Sequence, residues 1–234
     1  MRHVRGARTE APTEAVSGKV GKGEGPLLGR PRVSLPLSQL VLGRTAPPWH
    51  AEAWRHLECA VVKDDALGDV LRVWLAQGPL GGCRFVAVPR GMPASDLTLT
   101  YSVRFSTCCG FGGGRLPGLS TDEGVRIGPA WDRDGRVSLR VGDAVHPLDL
   151  DPLHTTGWNE VALRVKLNSF APDAPRRDAL LTVSVNGRPA TVDGLVLRRG
   201  ARTLLSSVDV SCSNRRSGSN AAGHVDLAGF ALVA

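Results

Sequence analysis

Arg115 sits in "GFGGGRLPGLS" (110–120), where four glycines precede it and Leu116-Pro117 follow it. A guanidinium beside bare backbone can clamp an oxyanion with two parallel N–H donors. A nucleotide-binding loop of the Walker type needs a lysine followed by Ser or Thr and a helix, and this stretch has neither. The dinucleotide fingerprint fails for the same lack of a helix. Metal chemistry is no better supported. The histidines at 3, 50, 56, 146, 154 and 224 never fall in HxH or HxxxH spacing. "WDRDGR" (131–136) resembles half of a calcium loop, but the remaining ligands and the distal glutamate are missing. It reads as a polar hairpin turn with Asp134-Gly135 at its tip. No GxSxG elbow marks a serine nucleophile. The five cysteines are odd in number, and Cys108-Cys109 is not a CxxC spacing, so reduced or buried thiols are expected rather than a disulfide framework. No metal and no cofactor is expected.

Charge is unevenly placed. The first 50 residues hold eight Lys/Arg against three Glu, so most of the net charge of +7 resides there. Residues 1 to about 30 lack apolar periodicity, and residues 1–45 are expected to be a disordered basic N-terminal tail ahead of a domain spanning 46–234. Such a tail can bind nucleic acid or another acidic surface weakly and without sequence preference. The N-terminus has basic residues but no apolar core of a signal peptide, and no run approaches a membrane span. An intracellular or virion-associated protein is the expectation.

The elements that must position Arg115 are strands. "DVLRVWLAQ" (69–77) alternates, with Val70, Arg72 and Trp74 on one face and Leu71, Val73 and Leu75 on the other. "DLTLTYSVRFS" (96–106) places Leu97, Leu99, Tyr101, Val103 and Phe105 on one face and Thr98, Thr100, Ser102 and Arg104 on the other. "CRFVAVP", "GVRIGPAW", "RVSLRVG", "NEVALRVKLN", "TLLSSVDVSCS" and "HVDLAGFALV" repeat the alternation, and Asn186-Gly187 is a type I′ hairpin signal. "PRVSLPLSQLVLG" (31–43) can add a first strand weakened by Pro36. No segment reads as a helix. An all-β jelly-roll sandwich of two antiparallel sheets follows, its wet face open to a ligand.

Three segments in order resemble polysaccharide lyase family 14, jelly-roll enzymes that cleave alginate or glucuronan-type polyuronates in algal viruses, molluscs, fungi and bacteria. They are "VLRVWLAQGPLGGCRFVAVP…LTLTYSVRFSTCCGFGGGRLPGL", "GWNEVALRVKLNS" and "DALLTVSVNGRPA". The tail "LLSSVDVSCSNRRSGSNAAGHVDLAGFAL" is loosely similar to the family's closing pair of strands, so the likeness runs over about residues 68–233.

β-Elimination removes the proton alpha to a uronate carboxylate, so it needs a cation for the enolate, a base for the proton and an acid for the leaving oxygen. The resemblance places Arg115 where the family has the lysine of K-L-P-G-L and Arg126 where it has a strand arginine. The family's Y-x-Y pair falls on "SLRV", where Ser138 and Arg140 stand and no tyrosine exists. Tyr101, the one tyrosine of the chain, is expected on the core face. His146 and His154, in the segment read as the loop "DAVHPLDLDPLHTTG", are the candidate replacement bases. Candidate catalytic residues are thus Arg115, Arg126, Arg140 and His154; candidate substrate contacts are Arg84, Arg104, Arg115 and Asn168. The glycines 110–114 read as a bulged turn that lets a sugar chain approach the backbone. An acidic polysaccharide is the expected partner. Three readings stand: a lyase-like domain that binds a polyuronate with lost or altered catalysis, an active lyase with a non-tyrosine acid/base pair, and a virion or nucleic-acid-associated protein using its tail.

Overall fold

A computed structural model describes residues 32–34, 37, 49–50, 59–75, 82–89, 92–106, 113–171, 174–214 and 223–234. The expected tail lies outside the described residues as far as residue 31. So do Cys108, Cys109 and the first two glycines of the Arg115 stretch, Gly110 and Gly112.

In chain order the strands are β1 (Arg32–Ser34), β2 (Trp49–His50), β3 (Cys59–Asp64), β4 (Gly68–Leu75), β5 (Gly82–Ala87), β6 (Asp96–Phe105), β7 (Gly114–Arg115), β8 (Gly118–Thr121) and β9 (Arg126–Trp131). They continue as β10 (Val137–Val141), β11 (Ala144–Pro147), β12 (Asn159–Lys166), β13 (Phe170–Ala171), β14 (Ala174–Pro175), β15 (Ala179–Val185), β16 (Arg188–Leu195), β17 (Leu205–Asn214) and β18 (Gly223–Val233). Sheet I runs β16-β15-β12-β6-β18-β4-β3, with β1 also on β18. Sheet II runs β11-β10-β9-β7-β17-β5-β2, with β8 joining β17 and β9. β13 and β14 form a small separate hairpin. The chain crosses repeatedly between the two antiparallel sheets, which is the expected jelly-roll sandwich. No helix of the described residues is long and apolar enough to cross a membrane.

The alternation decides the layers. Leu97, Leu99, Tyr101, Val103 and Phe105 of β6 are all buried, as are Leu71, Val73 and Leu75 of β4. Across the core, sheet II contributes Leu119, Ile127, Trp131, Leu139, Val208, Val210 and Cys212. Phe105 of sheet I meets Trp131 of sheet II edge-on at 5.4 Å between centroids, which ties the layers together, and within sheet I Tyr101 stacks on Phe230 at 5.5 Å. Cys59, Cys83 and Cys212 are buried thiols within this core.

Turn chemistry follows the sequence closely. Asn186 and Gly187 have φ of 50° and 83°, the two positive values a type I′ turn requires, and they join β15 to β16. At the tip of the β9–β10 hairpin the Asp132 carboxylate accepts the backbone N–H groups of Asp134 and Arg136, so "WDRDGR" is a turn held by its own aspartate. Arg32–Ser34 forms the first strand expected within 31–43 and pairs with Ala231–Val233 of β18, although it lies inside the 1–45 segment expected as tail. One segment departs from expectation. Residues 144–147, expected as loop, form β11: Gly142 at φ 57° closes a two-residue turn, so Ala144 pairs with Val141.

Candidate functional site: an arginine face on sheet II

Register shows which side chains share the outer face of sheet II. Arg84 of β5 stands opposite Ser211 of β17, and Arg115 of β7 opposite Ser213. Arg115 also pairs with Ala130 of β9, which pairs with Ser138 of β10. Period-two alternation then brings Arg126, Gly128 and Ala130 to the same side as Ser138 and Arg140. Arg84, Arg115, Arg126 and Arg140 therefore occupy one face, with the core on the other side of the sheet. Asp209, two residues from Ser211, lies on the arginine side and had no signal in the sequence. A lone Asp in a Val-Ser alternation looks like any solvated strand residue.

Asp209 organises this face. Its side chain is 1% exposed, and its Oδ2 lies 3.2 Å from Arg126 Nε and 3.5 Å from Arg84 Nη2. The Ser211 hydroxyl donates to its Oδ1. The Arg126 contact is an ion pair without hydrogen-bond alignment. Arg126 instead donates from Nη2 to the Leu116 carbonyl at 2.7 Å, which ties it to the segment just after Arg115. Burial pushes the Arg126 guanidinium below the usual arginine range; the positive charges of Arg115 and Arg84 push the same way, and Asp209 opposes them. The Arg115 side chain is half-buried and makes no hydrogen bond or ion pair to any described residue. Four arginines against one carboxylate give this face a positive balance: Arg84 and Arg126 lie beside Asp209, Arg140 is 7% exposed, and Arg115 has no anionic partner among the described residues.

The glycine beside Arg115 serves the interior. A Cβ on Gly114 would lie 2.2 Å from the Ser213 carbonyl oxygen and 2.4 Å from the Trp131 ring. The space is thus filled by the protein, which corrects the expectation of a sugar approaching the backbone at this residue. Gly118 is similar: its Cβ would lie 2.2 Å from the Ile127 carbonyl, because β8 and β9 pass close together there.

The other candidates fall elsewhere. Tyr101 is 3% exposed, donates its hydroxyl to the Pro117 carbonyl at 3.1 Å, and has its phenol pushed well above the usual range by burial. It is a strut beneath the Arg115 segment. His146 is the register partner of the core residue Leu139, so it faces away from Arg140. His154 is exposed in the loop before β12, where its backbone N–H is held by the Asn159 carboxamide. Among the described residues of β5, β7 to β11 and β17, no histidine or tyrosine lies on the arginine face; at the sheet's edge, His50 of β2 pairs with Val86, a register position on the same side as Arg84.

Asn168, expected at the substrate, is 1% exposed. Its Oδ1 accepts from the Leu197 and Arg198 N–H groups while its Nδ2 donates to the Ser169 and Arg198 carbonyls. It pins two loops together and has no capacity left for a ligand. Arg104 belongs to sheet I, on the opposite side of the sandwich. It donates to Asp226 at 2.7 Å and pairs with Asp64 at 2.8 Å, and it lies 4.5 Å over the Trp158 ring. Arg72 completes the cluster with two contacts to Asp226 at 2.8 and 3.0 Å.

Burial alone would raise the Asp226 carboxyl, but hydrogen bonds from Arg72 and Arg104 outweigh it and hold the group below its ordinary value. A depressed native pKa adds stability that is present above the unfolded value, about 3.9, and is lost as pH falls through the native one. Acid urea titrations should therefore show wild-type stability falling below about pH 4, with a flatter profile in Asp226→Asn. Parallel profiles would remove Asp226 as the titrating group.

No family model and no curated protein sequence matches this chain. Solved structures match its fold. The alginate lyase vAL-1 from a Chlorella virus superimposes with a TM-score of 0.73 at 18% identity, over 86% of this chain and 98% of that one. The marine PL-14 alginate lyase of Aplysia kurodai gives 0.64 at 16%, over 80% and 90%. The endo-β-1,4-glucuronan lyase of the fungus Trichoderma reesei gives 0.58 at 10%, over 75% and 86%. The chain thus has a polysaccharide-lyase-like fold.

Proposed function

We propose that this chain is a divergent relative of the family 14 lyases. Its sheet II face binds a uronate-containing polysaccharide, with the eliminating chemistry lost or altered. Fold likeness cannot supply a function by itself. The observation that carries the reading is Arg115: a half-buried guanidinium on a face of four arginines, with no anionic partner among the described residues. A polymer bearing a carboxylate on successive sugars is the complement of such a row, and a planar guanidinium takes a carboxylate through two parallel hydrogen bonds.

The altered chemistry follows from the residue types. Elimination needs a group that accepts the proton alpha to the carboxylate near neutral pH. A guanidinium stays protonated and cannot. The chain's one phenol is buried and hydrogen-bonded to Pro117, and His146 faces the other way. The arginines that remain can polarise and hold a uronate, and none of them is a base near neutral pH.

Retention in gels containing alginate or glucuronan, together with the ultraviolet absorbance of unsaturated product, tests both halves. Salt-sensitive retention without product is expected. Product formation abolished by Arg115→Ala would instead make the face an active centre with a rebuilt acid/base pair. Mobility unchanged by either polyuronate would reject the binding itself.

A further inference from the structure

We propose that the outer face of sheet I, on the opposite side of the sandwich from the arginines, is a second saccharide site, suited to an uncharged glycan. β6 alternates, so Thr98, Thr100, Ser102 and Arg104 point away from the core along a lane of about 20 Å, the rise from residue 98 to residue 104. Over this lane lies a trough of 520 Å³ lined by Thr100, Ser102, Glu160, Ala162, Ser184 and Gly229, among others. Its floor is low because the outward side chains of Thr100, Ser102, Ala162 and Ser184 are small, and because β18 bulges between Ala228 and Ala231 around Gly229 at φ 65°. The walls carry hydroxyls, which donate and accept as sugar hydroxyls do.

Beyond Ser102 the lane reaches the Arg104–Asp226–Arg72 cluster and then Trp74. Trp74 is 42% exposed and stands opposite His224 in the β4–β18 ladder. An indole left open beside half-exposed polar groups offers a flat apolar face with hydrogen-bonding edges, the combination that the C–H face and hydroxyl rim of a pyranose match.

The charges select the ligand. Arg72 and Arg104 are spent on Asp226 and Asp64, whose two carboxylates balance them. In the trough, Glu160 is an exposed carboxylate. Among the described residues from Thr98 to Arg104 and on to Trp74, no cation is left unpaired, so a polyuronate has no reason to prefer the lane. A neutral oligosaccharide loses nothing there. Binding at this face therefore differs from that on sheet II in being insensitive to salt.

The test uses the full chain with cellohexaose, mannohexaose and xylohexaose as probes, in low and high salt, followed by calorimetry. At least one should bind with an affinity unchanged by salt. Trp74→Ala should weaken it about tenfold. Ala162→Arg, which fills the trough, should abolish it, with Ser184→Arg as the second blocking variant should the first fail to fold. Retention on alginate gels should stay at the wild-type level in all three, and Arg115→Ala should leave the hexasaccharide affinity unchanged. Absence of binding by all three probes at millimolar concentration overturns the proposal, as does binding that survives a folded trough-filling variant. Neither result bears on the arginine face, whose readout is the polyuronate.

Discussion

Arg115→Ala is expected to weaken retention on alginate and glucuronan by about 10- to 100-fold, the range set by roughly 1.5–3 kcal/mol for a hydrogen bond to a charged group. The loss should be largest at low salt, because Arg115 is a half-buried cation that no described protein carboxylate neutralises. Arg115→Lys should recover part of the affinity, keeping the charge but losing the bidentate fork. Folding should be untouched, since the side chain makes no hydrogen bond or ion pair that the fold depends on. Affinity gels at several salt concentrations, with thermal melting as control, read the result. Equal retention by wild type and Arg115→Ala would remove Arg115 from the binding face. A lowered melting temperature of several degrees would mean that its role is structural.

Asp209→Ala should produce the largest loss of stability. Its carboxylate is 1% exposed, and Arg126, the closer of its cations, is 13% exposed. Removing the acid leaves a buried guanidinium without its counter-charge, with Arg115 and Arg84 adding repulsion. Breaking a buried pair from one side costs about 3–5 kcal/mol. That is a large share of a typical domain's total stability of about 5–15 kcal/mol. Arg84 adds little to this figure, being 43% exposed and 3.5 Å away. The asymmetry supplies a control. Asp209→Ala combined with Arg126→Met deletes both charges and should restore most of the stability, whereas Asp209→Ala alone should not. Urea denaturation at neutral pH measures both. A single variant within about 1 kcal/mol of wild type would show that the pair does not hold this face together.

Much of the fold was legible because a strand's period is two. In β6 and β4 every second residue is apolar and all of those are buried, while of the outward residues only Thr98 and Val70 are buried as well. Asn186-Gly187 and Asp134-Gly135 marked their turns because positive φ and aspartate-capped turns have narrow residue preferences. β11 was missed because "AVHP" is short, carries a proline and keeps an exposed valine, so no alternation distinguishes it from loop. Arg104 was grouped with Arg84 and Arg115 because alternation says only that a residue leaves the core face. It does not say which sheet that strand joins.

What the sequence determined by itself was local: which residues face inward, where the hairpins turn, that the chain is all-β, and that only one phenol exists to serve as an acid or base. Which outward residues meet was decided by the tertiary structure. β5, β7, β9, β10 and β17 are brought side by side from positions as far apart as Gly82 and Ser213, and their register puts four arginines and Asp209 on one face. The same packing sends Arg104 to the far sheet, buries Tyr101 under Pro117 and fills the space beside Gly114 with Trp131. The reason is physical. Alternation is written into neighbouring residues, while strand order and register are set by how two sheets share one core.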